Sequence, residues 1–323
     1  MAEDQDRKGE SRGMAPVEMS VHGPRVSSSD RQTEHQRLAG FNRQRLRPSL
    51  PRSDWRVSLD SELWLHRLEM EFLERERASM SEAAQAVPRD AAAFVGWFER
   101  LELTGPGQHD PLFAYLAEEA TLDEMRWFLA QEVAGEAGFD DLVAVTQVKL
   151  PTSAKLELAR NYWDEMGRGR AEGMHGGLLD VLVEELDLDA RPERTVWQSL
   201  AVANLLTGLA WNRGYAYHSI GALGAVELTA PGRTAKVNEG LRRLGFNARM
   251  RRYFALHATL DIKHAEAWNR EVLMTLVDDD PELARPIAEG ALMRLTAGAR
   301  CFARYRLEFG IDGVTRETSS PAA

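Results

Sequence analysis

The sequence is nearly devoid of cysteine. Its 323 residues include one cysteine, Cys301, so no disulfide can form within the chain. A lone thiol also excludes zinc fingers and iron–sulfur clusters, which need several cysteine thiolates. No apolar run approaches the roughly 18 residues of a membrane-spanning helix. Residues 1–7 lack the basic and apolar regions of a secretory signal. These absences together predict a cytoplasmic protein with no membrane partner.

An excess of basic residues is also missing. The net charge is -10, which argues against nucleic acid as a partner because phosphate binding relies on a basic surface. Residues 1–56 differ from the rest of the chain, with ten arginines and Lys8 against eight acids. This segment shows no apolar periodicity, so we predict a disordered arginine-rich leader over 1–56. We also predict a flexible C-terminal tail over 313–323.

Strand patterns are absent too, since no run of Val, Ile and Thr alternates with polar residues. Helical spacing of apolar residues dominates from about residue 59 onward. Residues 57–312 are therefore predicted to form one all-α bundle. The predicted helices lie within 58–72, 89–101, 111–117, 122–137, 156–166, 176–186, 196–208, 220–228, 238–244, 253–277 and 286–309.

One predicted helix carries a stripe of metal-binding residue types. His257, Asp261 and His264 are spaced at i, i+4 and i+7, so their side chains point to one side of the helix. A carboxylate flanked by two imidazoles suits a divalent first-row metal. The alternative is a solvated polar stripe, or core histidines that are simply hydrogen-bonded. The motif taken alone supports the two interpretations about equally.

A second segment pairs a glutamate with a histidine. Glu172 and His175 are i, i+3 neighbours, the Glu-x-x-His geometry of carboxylate-bridged di-iron bundles. Glu165 lies seven residues before Glu172. Gly167 and Gly169 suggest a break in the helix, with a loop that brings Glu165 back towards the site. A charged helix end at the surface is the alternative.

Two further segments contribute single acids. Glu227 lies among small residues, so its carboxylate is expected inside the protein with a positive partner. That partner is a metal or an arginine, and Glu227 alone favours an arginine. Glu132, Glu136 and Asp140 form an acidic stripe on another helix, which is either a solvated face or a source of one ligand.

The order of these motifs along the chain is more specific than any one of them. An acidic helix, Glu-x-x-His, a lone Glu about fifty residues later and His-x-x-x-Asp-x-x-His resemble the heme-oxygenase-like di-iron oxidases and oxygenases. The resemblance covers about residues 110–310. It implies a heme-oxygenase-like helical bundle and membership of the iron-containing redox enzymes.

The resemblance also implies a set of metal ligands. It assigns one iron to Glu172, His175 and either Glu132 or Glu136, of which Glu136 fits the spacing slightly better. It assigns the other iron to His257, Asp261 and His264, with Glu227 bridging the two. Glu165 resembles an extra carboxylate of members that oxygenate nitrogen, and we expect a catalytic role for it.

The implied activity is that of a non-heme iron oxidoreductase. Two Fe(II) ions per chain would activate O2 as co-substrate and oxidise a small organic molecule. The outcomes within the family are N-oxygenation, desaturation with carbon–carbon cleavage, and decarboxylation. The resemblance leaves room for a homodimer and for an external electron donor. The main alternative is a metal-free or cofactor-binding protein on the same heme-oxygenase/thiaminase-like scaffold, because fold does not fix function.

Overall fold

The described part of the protein is a bundle of α-helices. The structure, a computed structural model, describes residues 27–51 and 53–311. Apart from one isolated β-bridge, these residues form no strand, which confirms the predicted all-α class. The helices are α1 Ser28–Leu46, α2 Trp55–Gln85, α3 Ala91–Thr104, α4 Pro111–Glu118, α5 Leu122–Glu136, α6 Phe139–Thr146, α7 Thr152–Glu165, α8 His175–Leu186, α9 Trp197–Trp211, α10 Ala216–Arg243, α11 Arg252–Ala267, α12 Met274–Asp279 and α13 Ala284–Phe309.

Side-chain caps set the start of several helices. Asp110 accepts from the backbone N–H of Leu112 at 3.0 Å, and Pro111 takes the first helical position of α4. Thr121 and Glu124 form a reciprocal capping box on α5. Each cap satisfies backbone donors that a helix start leaves free, typically stabilising the helix by about 1 kcal/mol.

Helix α10 lies at the centre of the bundle, against α13, α11, α4 and α9. It approaches α13 so closely that a Cβ on Gly221 would lie 1.8 Å from the carbonyl oxygen of Ile287. The small residues around Glu227 therefore let the two helices pack closely. The prediction of separate helices over 220–228 and 238–244 was wrong, because α10 continues through Pro231. Packing on several neighbours outweighs the roughly 3 kcal/mol that an interior proline costs.

The prediction of disorder was wrong for the part of the leader that the structure describes. Residues 28–46 form α1, which begins with a capping box between Ser27 and Asp30. Leu38 and Phe41 are buried, and α1 packs against α9 and α2. The helix is mostly polar, and this narrow apolar stripe is enough to dock it. Residues 1–26, and the tail predicted over 313–323, lie outside the described residues.

One continuous run of helix includes α11, a π-helical segment over Trp268–Leu273 and α12. It matches the helix predicted over 253–277. π-Helical turns occur often beside functional sites, and this one directly follows the helix that carries the His257–His264 motif. No helix in residues 27–51 or 53–311 combines the length and apolarity that crossing a membrane requires.

Candidate metal centre

The end of α7 and the start of α8 bring Glu165 next to His175. Three successive residues between them, Gly167, Arg168 and Gly169, have positive φ angles of 60°, 53° and 82°. A Cβ on Gly167 would lie 2.5 Å from the backbone of Gly173, so the tight return of the loop requires glycine there. As a result His175 donates from Nδ1 to Glu165 Oε2 at 2.8 Å, although ten residues separate them.

The α11 motif faces the same point. His257, Asp261 and His264 are all buried. His257 donates from Nδ1 to the carbonyl of Tyr253 at 2.7 Å, and its Nε2 lies 3.5 Å from Glu165. His264 contacts Asp164 through Nε2 at 3.4 Å. Its Nδ1 lies 3.4 Å from Glu165 and 3.5 Å from Glu227.

Glu227 reaches the site from the middle of α10 and is buried. Its nearest contacts are Asn161, which donates from Nδ2 at 2.5 Å, and His264. The arginine partner that the sequence favoured is not found within the described part of the chain. Glu227 therefore contributes a buried carboxylate whose counter-charge comes from the site itself.

Helix α5 contributes Glu136 rather than Glu132. Glu136 Oε1 lies 2.8 Å from His175 Nε2. Both its oxygens accept backbone N–H groups, from Gly138 and Phe139, at 2.8 Å. Glu132 is one turn away and accepts from the Tyr305 hydroxyl at 3.2 Å. The structure thus places one of the two acids at the site and the other outside it.

Glu172 was predicted as a ligand and does not reach the site. It lies in a short 3₁₀ turn, Ala171–Gly173, and is exposed. The Glu-x-x-His geometry needs a continuous helix, but α7 ends at Glu165 and α8 begins only at His175. Glu165, predicted as a catalytic residue, occupies the central position instead.

Opposing electrostatic effects act on the acidic side chains. Burial raises the pKa of Asp261 well above its ordinary value, and the charges of Glu227 and Glu165 raise it further. Burial would also raise the pKa of Glu165, but hydrogen bonds from His175 and His257 outweigh it and hold that pKa well below its ordinary range.

Neighbouring carboxylates raise the pKa values of two of the histidines. Burial alone would lower the pKa of His175, yet Glu136 and Glu165 raise it well above its ordinary value. Burial likewise disfavours protonated His264, but Glu227, Glu165 and Asp261 raise its pKa to about 9. Without a metal, protons therefore hold the cluster together, and these are the protons that metal binding would displace.

The donor set fits two divalent cations. Glu165, His175 and His257 offer ligand atoms that all lie within 4.8 Å of one another, and so do Glu165, Glu227 and His264. Six-coordinate ions with bonds of about 2.1 Å hold neighbouring donors about 3 Å apart, which is close to the contacts in this cluster. Asp261 Oδ1 and His264 Nδ1 are buried without a hydrogen-bond partner, as atoms reserved for a metal would be.

The charge balance agrees with that fit. With metal bound, the carboxylates of Glu136, Glu165, Glu227 and Asp261 would carry four negative charges, which two divalent ions would cancel while all three histidines stay neutral. Mixed carboxylate and imidazole donors suit iron, manganese or zinc. An uncompensated set of four buried carboxylates would be strongly unfavourable.

Sequence reasoning missed three residues that hold the ligands in place. Asp164 lies against His264, Asn161 donates to Glu227, and the Tyr253 carbonyl accepts from His257 and orients its ring. Such outer contacts orient metal ligands and raise their basicity. Asn161 and Asp164 lie four residues and one residue before Glu165, so the helical spacing of α7 was the available signal.

A cavity of about 150 Å³ opens onto this cluster. Glu136, Glu165, His175, His257 and Asp261 line one part of it. Apolar side chains, including Phe128, Phe139, Leu179, Val202 and Leu206, line much of the rest. A cavity with a few buried polar groups and a mostly apolar wall is typical of a site for a small molecule.

The fold and the site together define a helical protein with a buried carboxylate–histidine cluster that is a candidate metal centre. The model of the family described as "Iron-containing redox enzyme" matches residues 126–299, a range that includes all seven converging donors. The chain belongs to this family.

A solved structure supports the fold assignment. A CADD-like protein of unknown function from Nostoc punctiforme PCC 73102 superposes with a TM-score of 0.53 at 17% sequence identity. The match covers 71% of this chain and 100% of that one. At this identity the similarity bears on the fold alone. No curated protein matches the sequence.

Proposed function

We propose that the chain is a non-heme di-iron oxidase or oxygenase that uses O2 to oxidise a small organic molecule. One observation carries the proposal. Five buried donors form two candidate metal triads that share Glu165. Glu136 contacts His175 at 2.8 Å, and Asp261 lines the same cavity. Membership of the iron-containing redox enzymes makes iron the preferred occupant.

The proposed ligands are Glu136, Glu165, His175, Glu227, His257, Asp261 and His264. Two irons bound there would supply the reducing equivalents and the open positions that O2 activation needs. The protein's own part is to fix the ligands. Hydrogen bonds at Asp164, Asn161 and the Tyr253 carbonyl hold three of them in single orientations.

The apolar part of the cavity would hold the substrate and keep bulk water away. Excluding water strengthens electrostatic interactions and prevents loss of reactive species. If one oxygen atom is inserted, the substrate, O2, two electrons and two protons give the oxygenated product and one water. That balance requires an external electron donor. Desaturation needs the same donor, because the substrate supplies two of the four electrons that reduce O2 to two waters and the donor supplies the other two, with two protons.

Anaerobic titration with Fe(II) tests the proposal. We expect about two equivalents to bind, followed on exposure to O2 by a transient visible absorbance. His264→Ala should lose the second equivalent, whereas Glu172→Ala should bind as the parent does because Glu172 is exposed. Circular dichroism checks that both variants remain folded.

The rival interpretation, a metal-free or cofactor-binding protein on the same scaffold, expects a different result. Under that interpretation the parent takes up no Fe(II), or His264→Ala binds as much as the parent does. Either outcome would remove the redox assignment and leave only the fold.

A further inference from the structure

The cavity next to the proposed metal centre has a second polar end. Arg233 of α10 and Arg294 of α13 line it, together with Glu132 of α5 and the hydroxyl of Tyr305. None of these residues belongs to the metal-ligand cluster. Two arginines that line one small cavity are unusual, because buried cations are normally paired with an opposite charge.

The two guanidinium groups are not fully paired. Arg233 donates from Nη2 to Thr229 Oγ1 at 2.8 Å, but its Nη1 is buried without a hydrogen-bond partner. Arg294 has two such atoms, Nε and Nη1. No salt bridge links either arginine to a carboxylate within the described part of the chain. Unpaired N–H donors on a buried cation are costly unless a ligand uses them.

Glu132 does not balance this charge. Burial raises the pKa of Glu132, and the positive charges of Arg233 and Arg294 only partly oppose that effect. Burial and the nearby charge of Arg294 lower the pKa of Arg233 to about 9, so it remains protonated at neutral pH. Even with Glu132 ionised, two cations and one anion leave a positive end that one more negative charge would neutralise.

We propose that Arg233 and Arg294 bind the carboxylate of a monoanionic substrate, whose oxidisable group then faces the metal centre. The binding of a carboxylate is inferred from the cavity alone. The orientation of the oxidisable group towards the metal rests on the proposed function. Arginine suits the task because its fork of N–H donors matches a carboxylate with two hydrogen bonds.

Helix geometry sets the length of such a substrate. Glu132 is four residues from Glu136 on α5, and Arg233 is six residues from Glu227 on α10. At 1.5 Å per residue, the anion end therefore lies about 6 to 9 Å along these helices from the metal ligands. A carboxylic acid with a chain of about five or six carbons spans that distance.

Calorimetric titration with hexanoate tests the anion site without any metal. Hexanoate should bind to the metal-free protein, whereas the neutral hexanamide should bind at least about 10-fold more weakly, because it lacks the charge that strengthens both hydrogen bonds. Hexylphosphonate distinguishes a carboxylate site from a general phosphate site. Equal binding of hexanamide overturns the proposal, and so does tighter binding of hexylphosphonate.

Arg294→Met and Arg233→Met should each weaken hexanoate binding by on the order of 10- to 100-fold. Arg242→Met is the matched control, because Arg242 is an exposed arginine on the same helix as Arg233. Removing a charge that no salt bridge balances should leave the melting temperature unchanged or raise it, whereas an arginine with a purely structural role would lower it.

Gly298→Ala provides a variant that keeps every charge. A Cβ on Gly298 would lie 2.7 Å from Arg294 Nη1, so it should displace the guanidinium and weaken hexanoate binding without loss of folding. If hexanoate binds no variant more weakly, or fails to bind the parent, the anion site is disproved. If it binds as expected but the protein takes up no Fe(II), the anion site stands and the redox function fails.

Discussion

Replacing Glu165 should remove both metal sites at once, because Glu165 belongs to both candidate triads. Loss of a partner that only orients a ligand already costs 10- to 100-fold in metal affinity, so we expect Glu165→Ala to lower affinity by about 100-fold or more. Metal at 100 times its dissociation constant stabilises a protein by about 2.7 kcal/mol per site, or about 5 kcal/mol for two. At about 2 °C per kcal/mol for a chain of this size, that is a rise of roughly 10 °C in melting temperature.

The assay is thermal unfolding under anaerobic conditions, with and without Fe(II). The quantity to compare is the metal-induced shift in melting temperature, since Glu165→Ala also removes the hydrogen bond that His175 donates and changes the stability of the metal-free protein. The parent and Glu172→Ala should both gain about 10 °C, and Glu165→Ala should gain almost nothing. A full shift in Glu165→Ala, or its loss in Glu172→Ala, would refute the assignment of ligands.

Three other predictions concern protons and packing. The pKa of His264 is raised to about 9, and a metal binds the neutral form of the ring. Fe(II) uptake at pH 7 should therefore release protons, and the affinity for Fe(II) should rise as the pH approaches 9. Calorimetry in buffers of different ionisation enthalpy measures the released protons. Burial and nearby arginines lower the pKa of His35 to about 3, so the folded state binds fewer protons than the unfolded state between about pH 3 and 6.5. Stability should therefore fall as pH drops through this window, by at most about 1.4 kcal/mol per pH unit, and His35→Phe should flatten that slope in urea unfolding curves. Gly221→Ala should destabilise the protein by more than about 2 kcal/mol because its Cβ would meet the backbone of α13. Gly232→Ala, in open space on the same helix, should stabilise it by about 0.5 to 1 kcal/mol. Equal effects of the two substitutions would contradict the close packing of α10 and α13.

Local spacing was enough to predict the parts of the site that lie on regular helix. His257, Asp261 and His264 converge because nothing interrupts α11 between them, and α-helical geometry alone places them on one face. The fold class was accessible for the same reason, since apolar periodicity and capping residues such as Asp110 act over a few positions.

The errors arose where the chain departs from regular helix or where distant parts pack together. The loop between α7 and α8 interrupts the helix, so Glu172 lies outside the site and Glu165 lies at its centre. The positive φ of Arg168 in this loop leaves no clear mark in the sequence. The choice between Glu132 and Glu136 depends on the position of Tyr305, 173 residues away along the chain from Glu132. Helix α1 escaped prediction because its few apolar positions stabilise it only through contact with α9 and α2.

Anomalous diffraction at the iron edge, from crystals loaded with Fe(II) without oxygen, would test the central claim most directly. We predict two peaks in the cavity, one among Glu136, Glu165, His175 and His257, and the other among Glu165, Glu227 and His264, with Asp261 as a further ligand of one of them. Iron bound at the surface beside Glu172, or no iron within the bundle at all, would contradict the proposal that these buried side chains form a di-iron centre.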